Sequence, residues 1–119
     1  MKKFNLENRL IDFAVVISEI SEALKKTPSG KYLSEQIIRS GTSPGLHYGE
    51  AQSAESRRDF IHKIKMVNKE LRETHANLKI IYKASLHPSQ VTIKSALKEA
   101  NELISIFVKS IQTAKKNIE

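Results

Sequence analysis

Apolar residues along the chain repeat with one spacing in three long runs. Leu6, Leu10, Phe13, Ile17, Ile20 and Leu24 are separated by alternating steps of four and three. That is the pattern of a helix with one buried stripe. Asn5 is placed to cap its start, and Lys25 and Lys26 are expected in its last turn, where the helix dipole favours cations. Phe60, Ile64, Val67, Leu71, Thr74, Leu78 and Ile81 repeat the spacing, after Ser53 or Ser56 as cap. So do Ile93, Leu97, Ala100, Ile104, Phe107, Ile111, Ala114 and Ile118, in a helix expected from about Ser89 to Asn117.

The remaining stretch, from about Lys31 to Gln52, is less regular. Thr27-Pro28-Ser29-Gly30 leads into it, with Pro28 or Ser29 opening the helix. Tyr32, Leu33, Ile37 and Ile38 have helical spacing, but Gly41-Thr42-Ser43-Pro44-Gly45 interrupts them. Pro44 cannot donate to the Ser40 carbonyl and its ring crowds that group, a penalty of about 3 kcal/mol in a regular helix. A kink or break is therefore expected near Gly41–Gly45, with the Thr42 and Ser43 hydroxyls available to freed backbone groups. Leu46 to Ala51 then resumes as a short helical turn. Strand signals are absent, and short links make successive helices antiparallel neighbours. The fold class is all-α: one antiparallel up-down four-helix bundle over residues 1–119, its second helix kinked.

Composition narrows the function classes. The 119 residues include no cysteine, so disulfides, thiolate catalysis and cysteine-based metal centres are excluded. Apolar runs are too short to span a bilayer, and the N-terminus does not read as a signal peptide, so a cytoplasmic protein without membrane contact is expected. Twenty Lys and Arg stand against thirteen Asp and Glu, a net charge of +7. Residues 54–86 alone hold eight basic and four acidic residues, more than half of that surplus.

The basic residues in that stretch are ordered. Arg58, His62, Lys65, Lys69, Arg72, Ala76, Lys79 and Lys83 follow at steps of four and three, offset two residues from the apolar seam. The offset turns the stripe about 200° from the seam, and 25 residues at helical rise make it roughly 37 Å long. Such a ridge suits a phosphate backbone. The plainer alternative is a solvated helix back or a subunit contact, with Glu55–Arg58, Asp59–Lys63 and Lys69–Glu73 at ion-pair spacing. No aromatic residue interleaves the cations, so binding would be electrostatic and sequence-tolerant.

Other chemistry finds little support. The Glu-x-x-His pairs of bundle di-iron sites do not occur, so no metal and no cofactor is expected. Asp59 and His62 could chelate a stray ion only away from the seam. Ser43 with His47 lacks an orienting carboxylate and an oxyanion hole. Arg57 and His62 have the Arg-to-His spacing of some small helical ribonucleases, with His62 as general acid or base and Arg57 on the phosphorane. Asn68, His75 and Tyr82 recur in register with Ile61 beside the seam. Gln36 and Arg39 are expected to reach Glu70 or Glu73, a costly pair whose use would be to fix register.

The stretch Gln36 to Leu78 carries a longer pattern. A Gln and an Arg precede a small-residue run with a Ser, and a basic-x-Asp-Phe helix start and a Lys-Glu-x-x-Glu-Thr element follow. Gln36, Arg39, Gly41, Thr42, Ser43, Gly45, Glu50, Ala51, Arg58, Asp59, Phe60, Lys63, Lys69, Glu70, Glu73 and Thr74 stand at its positions. This resembles the bacterial four-helix-bundle proteins encoded by intervening sequences within 23S ribosomal RNA genes. His47 departs from it, standing where that family usually has Asn. The resemblance implies a four-helix bundle assembling into a homo-oligomeric ring, commonly a pentamer. A basic accessory protein of diversity-generating retroelements, similar in fold, works with reverse transcriptase and nucleic acid. The expectation is a non-enzymatic oligomeric scaffold whose third helix contacts RNA or DNA, with or without a protein partner. The alternative is a structural oligomer with no nucleic-acid role. Off-seam Val15, Ile61, Ile80, Leu103 and Val108 suggest a second buried surface for assembly.

Overall fold

The computed structural model describes residues 5–118, the side chain of Ile118 excepted, so that residue's place at the end of the fourth seam lies outside the description. Four helices run in order: α1 (Leu6–Glu22), α2 (Pro28–Ala51), α3 (Arg57–Lys83) and α4 (Gln90–Ile118). Among the described residues there is no strand. Side-chain caps set three starts: Asn5 Oδ1 accepts from Asn8 N at 3.0 Å, Thr27 Oγ1 from Gly30 N at 3.1 Å and Ser56 Oγ from Asp59 N at 3.0 Å. Ser89 does the same for α4, accepting from Thr92 N at 3.1 Å. The first helix stops at Glu22, capped by Ala23, so Lys25 and Lys26 lie in the connection and not in the last turn.

The seams become the core. Leu10, Ile17, Ile37, Ile64, Val67, Leu71, Leu78, Ile81, Ile93, Leu103 and Phe107 are fully enclosed. Two of the off-seam residues, Ile61 and Leu103, belong to this core and not to a second surface. A straight helix drifts from a 3.5-residue repeat, so the buried line on α4 moves to Ala96, Ala100 and Leu103 while Leu97, Ile104 and Ile111 sit half-buried beside it. Backbones approach most closely between α1 and α2, α2 and α3, and α3 and α4, whereas α1 and α4 meet over a short stretch. An ionic fork spans that weaker side: Arg9 donates to Glu99 at 2.7 and 2.8 Å and to Glu102 at 2.7 Å. Across the bundle the Tyr48 ring meets Phe107 edge-on, with centroids 5.7 Å apart.

The second helix is not broken. It continues through Pro44, which is buried within it. The Thr42 and Ser43 hydroxyls donate to the Ile38 and Arg39 carbonyls, both at 2.7 Å, and not to the Ser40 carbonyl that the proline deprives. Packing explains the continuity. A Cβ on Gly41 would lie 2.5 to 3.0 Å from Ile17, and Leu10 and Ile11 lie 3.8 Å from the place of a Cβ on Gly45. The small residues bring α2 against α1, and that contact outweighs the local penalty of the proline. Gly41→Ala should therefore destabilise the fold by about 1–3 kcal/mol through overpacking. Urea denaturation checks this, and a change under 0.5 kcal/mol contradicts it.

Candidate nucleic-acid interface

The 27 residues of α3 place one face against α2 and α4 and leave the other bare. Arg58, His62, Lys65, Lys69, Arg72, Lys79 and Lys83 are all exposed. Among the described residues none of the seven has a carboxylate oxygen within 4 Å; of the three helical pairings, only Asp59–Lys63 forms, at 3.8 Å. Glu55–Arg58 and Lys69–Glu73 do not. Asp59 also accepts from the Glu55 amide at 3.3 Å, holding it at the helix start. Glu73 is exposed on α3, and among the described residues no ion pair forms to it.

The neighbouring helix enlarges the surface. Lys94 Nζ lies 5.9 Å from the centroid of the Tyr82 ring, which turns that lysine toward the end of α3 that also carries Lys79 and Lys83. Lys98, one turn on, shares that side. Glu99 and Glu102 are engaged by Arg9 on the α1 side. The sequence reading missed Lys94; its i+12 relation to Tyr82, across the α3–α4 turn, carries no periodic signal.

The family-motif residues gather between α2 and α3, with different partners from those expected. Arg39 donates to Gln36 on its own helix at 2.9 Å, and neither reaches Glu70 or Glu73. Glu70 instead pairs with His47, Nδ1 to Oε1 at 2.8 Å, with side chains 26% and 17% exposed. Position 47 can bridge because it lies on the α3 side of α2, one turn from the occupied Ser43. Behind this pair, Asn77 Nδ2 donates to Ser40 Oγ at 3.3 Å, the Ser40 and Thr74 hydroxyls are 3.0 Å apart, and Thr74 donates to the Glu70 carbonyl at 2.9 Å. Glu50 is exposed and Phe60 packs half-buried on the core. Along the other flank of α3, the buried Asn68 Oδ1 has no hydrogen-bond partner among the described residues.

No catalytic set assembles from the other candidates. Arg57 lines a recess of about 490 Å³ with Phe60, Ile106 and Lys109. His62, five residues on, is exposed and turned about 140° away around the helix. Ser43 is bonded to Arg39 and His47 to Glu70. Among the described residues no three His, Asp or Glu side chains come together as a metal site would require. No helix among them is long and apolar enough to cross a membrane.

Fold and surface together define a basic four-helix bundle with an open cationic face. The chain belongs to the 23S rRNA-intervening sequence protein family, which it matches over residues 2–109. Among solved structures it is similar to a protein of unknown function from the S23 ribosomal protein family of Bacteroides thetaiotaomicron VPI-5482. The identity is 29% over 90% of this chain and 98% of that one, with a TM-score of 0.82. No match is found among the curated proteins.

Two expected outcomes follow from this geometry. His47→Ala leaves Glu70 without its cross-helix partner and should lower stability by about 1–2 kcal/mol in urea denaturation. Burial, with Lys79 as the smaller cause, holds the His75 imidazole below its usual pKa of 6.5. The fold therefore favours the neutral ring. This contribution is full above pH 6.5 and declines as pH falls from there toward the folded-state value. His75→Gln should flatten that decline, as read from denaturation midpoints across this window; an unchanged slope contradicts the assignment.

Proposed function

We propose that the protein is a non-enzymatic, homo-oligomeric scaffold that binds RNA or DNA through the outer face of α3. The observation that carries this reading is the absence of neutralising carboxylates within 4 Å along a cationic line of about 37 Å, among the described residues. Cations left in solvent give a polyanion its main gain, release of condensed counterions. An ordinary helix back would interleave both signs and pair them. Phosphate contacts alone position a nucleic acid without reading its sequence, so the scaffold serves assembly or presentation.

Exposed apolar residues support the oligomeric part. Ile11 and Val15 on α1 and Leu46 on α2 are 47%, 53% and 70% exposed, although a monomer would bury such side chains more cheaply. The ring, with five copies as the resemblance implies, would close on this side and repeat the α3 face around it. A competing reading has one specific support: Ile80, 50% exposed, and Met66 sit on α3 itself. If α3 is where copies meet, the protein is a structural oligomer without a nucleic-acid role.

Binding to mixed-sequence RNA separates the two. The proposal predicts a loss of affinity on the order of 10³-fold between 50 and 200 mM salt. Changing Lys65, Lys69 and Arg72 together to Gln should lower the logarithmic salt slope by about 2. No affinity at low salt removes the nucleic-acid role. Light scattering should give several times the 13.5 kDa chain mass at micromolar concentration, falling to that mass in the Ile11→Asp, Leu46→Asp double variant. A 13.5 kDa species alone in the unaltered protein contradicts the assembly.

A further inference from the structure

A second cationic feature, separate from the α3 face, sits where α1 hands over to α2. A recess of about 260 Å³ there is lined by Ser21, Lys25, Lys26, Gly30, Lys31 and Ser34, with Leu24 beneath. Three lysines within seven residues thus surround one small cavity. Among the described residues none has a carboxylate oxygen within 4 Å, including the nearby Glu22 and Glu35.

The backbone that displays these lysines is fixed. Lys25 N donates to the Leu86 carbonyl at 2.9 Å, tying this connection to the one between α3 and α4. The Lys25 carbonyl fills the space that a Cβ on residue 30 would need, so glycine is required for the turn to close. The Gly30 amide is already bonded to Thr27, which leaves side chains rather than the helix end to hold a ligand. The Ser34 hydroxyl donates to the Lys31 carbonyl at 2.8 Å, and Ser21 adds a second hydroxyl to the lining.

We infer that this recess binds a phosphate group, either free phosphate or the terminal group of a phosphate monoester. Three lysines and a serine in one lining, with no carboxylate oxygen within 4 Å of the lysines among the described residues, favour a compact dianion over a carboxylate. The volume is below that of sites for drug-sized molecules, so the phosphate itself would be the recognised part. The inference does not depend on the α3 surface and stands or falls separately from it.

Amide-resolved NMR of the full chain, titrated with inorganic phosphate or ribose 5-phosphate against chloride at constant ionic strength, provides the test. Saturable shifts centred on Ser21, Lys25, Lys26, Lys31 and Ser34 are expected. Tighter saturation by one probe identifies the free ion or the monoester as the natural form. The Lys26→Gln, Lys31→Gln double variant should weaken saturation by about tenfold or more with its spectrum otherwise preserved. Lys65→Gln with Lys69→Gln should leave it unchanged. Linear, unsaturated shifts with both probes, or saturation indifferent to the first double variant, overturn the inference.

Discussion

The rotation of α3 about its own axis is the constraint on which the rest depends. Ile64, Val67, Leu71, Leu78 and Ile81 are fully enclosed on one side of that helix. Burial of each is worth about 1.5–3 kcal/mol, so turning the helix by a single position, about 100°, would forfeit several times the total of any surface ion pairs. Hydrophobic packing therefore decides which way the cations face, and electrostatics has no say in it. The outward line of Arg58, Lys65, Lys69, Arg72, Lys79 and Lys83 follows from the inward one. What distinguishes this helix from an ordinary amphipathic one is that, among the described residues, no carboxylate oxygen lies within 4 Å of these six cations, although Glu73 shares the exposed side.

Polar contacts supply register where apolar packing alone is permissive. A greasy seam tolerates sliding by a heptad, but the Asn77–Ser40–Thr74–Glu70 chain has hydrogen-bond partners at one alignment only. His47 and Glu70 add a second tie one layer out. The imidazole thus meets a carboxylate on the neighbouring helix, and the departure at position 47 is absorbed into the α2–α3 contact. The fork from Arg9 to Glu99 and Glu102 plays a comparable part between α1 and α4, where backbone contact is sparse.

Much of this was legible because helical periodicity is a one-dimensional signal. Four helices, a cap at Asn5, and the opposition of seam and stripe on α3 could all be counted along the chain, while the choice of Ser56 over Ser53 as the cap of α3 came from the packed structure. Four further features could not be counted this way. Pro44 carries a local penalty, but the contact of Gly41 with Ile17 that offsets it joins residues far apart in sequence. Residue type aims Arg39 of α2 at the carboxylates of α3, and only the packed geometry shows that the His47 imidazole reaches Glu70 while Arg39 stays with Gln36. Ile61 and Leu103 read as surplus because a strict 3.5-residue count ignores the drift of a straight helix, which carries them into the core. The lysines around the α1–α2 turn were assigned to a helix end that the chain has already left.

The central claim is that the cationic side of α3 is open to solvent in the assembled protein and is covered by polyanion. Lysine acetylation read by mass spectrometry, with and without mixed-sequence RNA at low salt, tests it most directly. The account predicts that Lys65, Lys69, Lys79 and Lys83 react freely in the protein alone at every concentration and become protected when RNA is added. Protection of these lysines without RNA, rising with protein concentration, or reactivity that RNA leaves untouched, would contradict it.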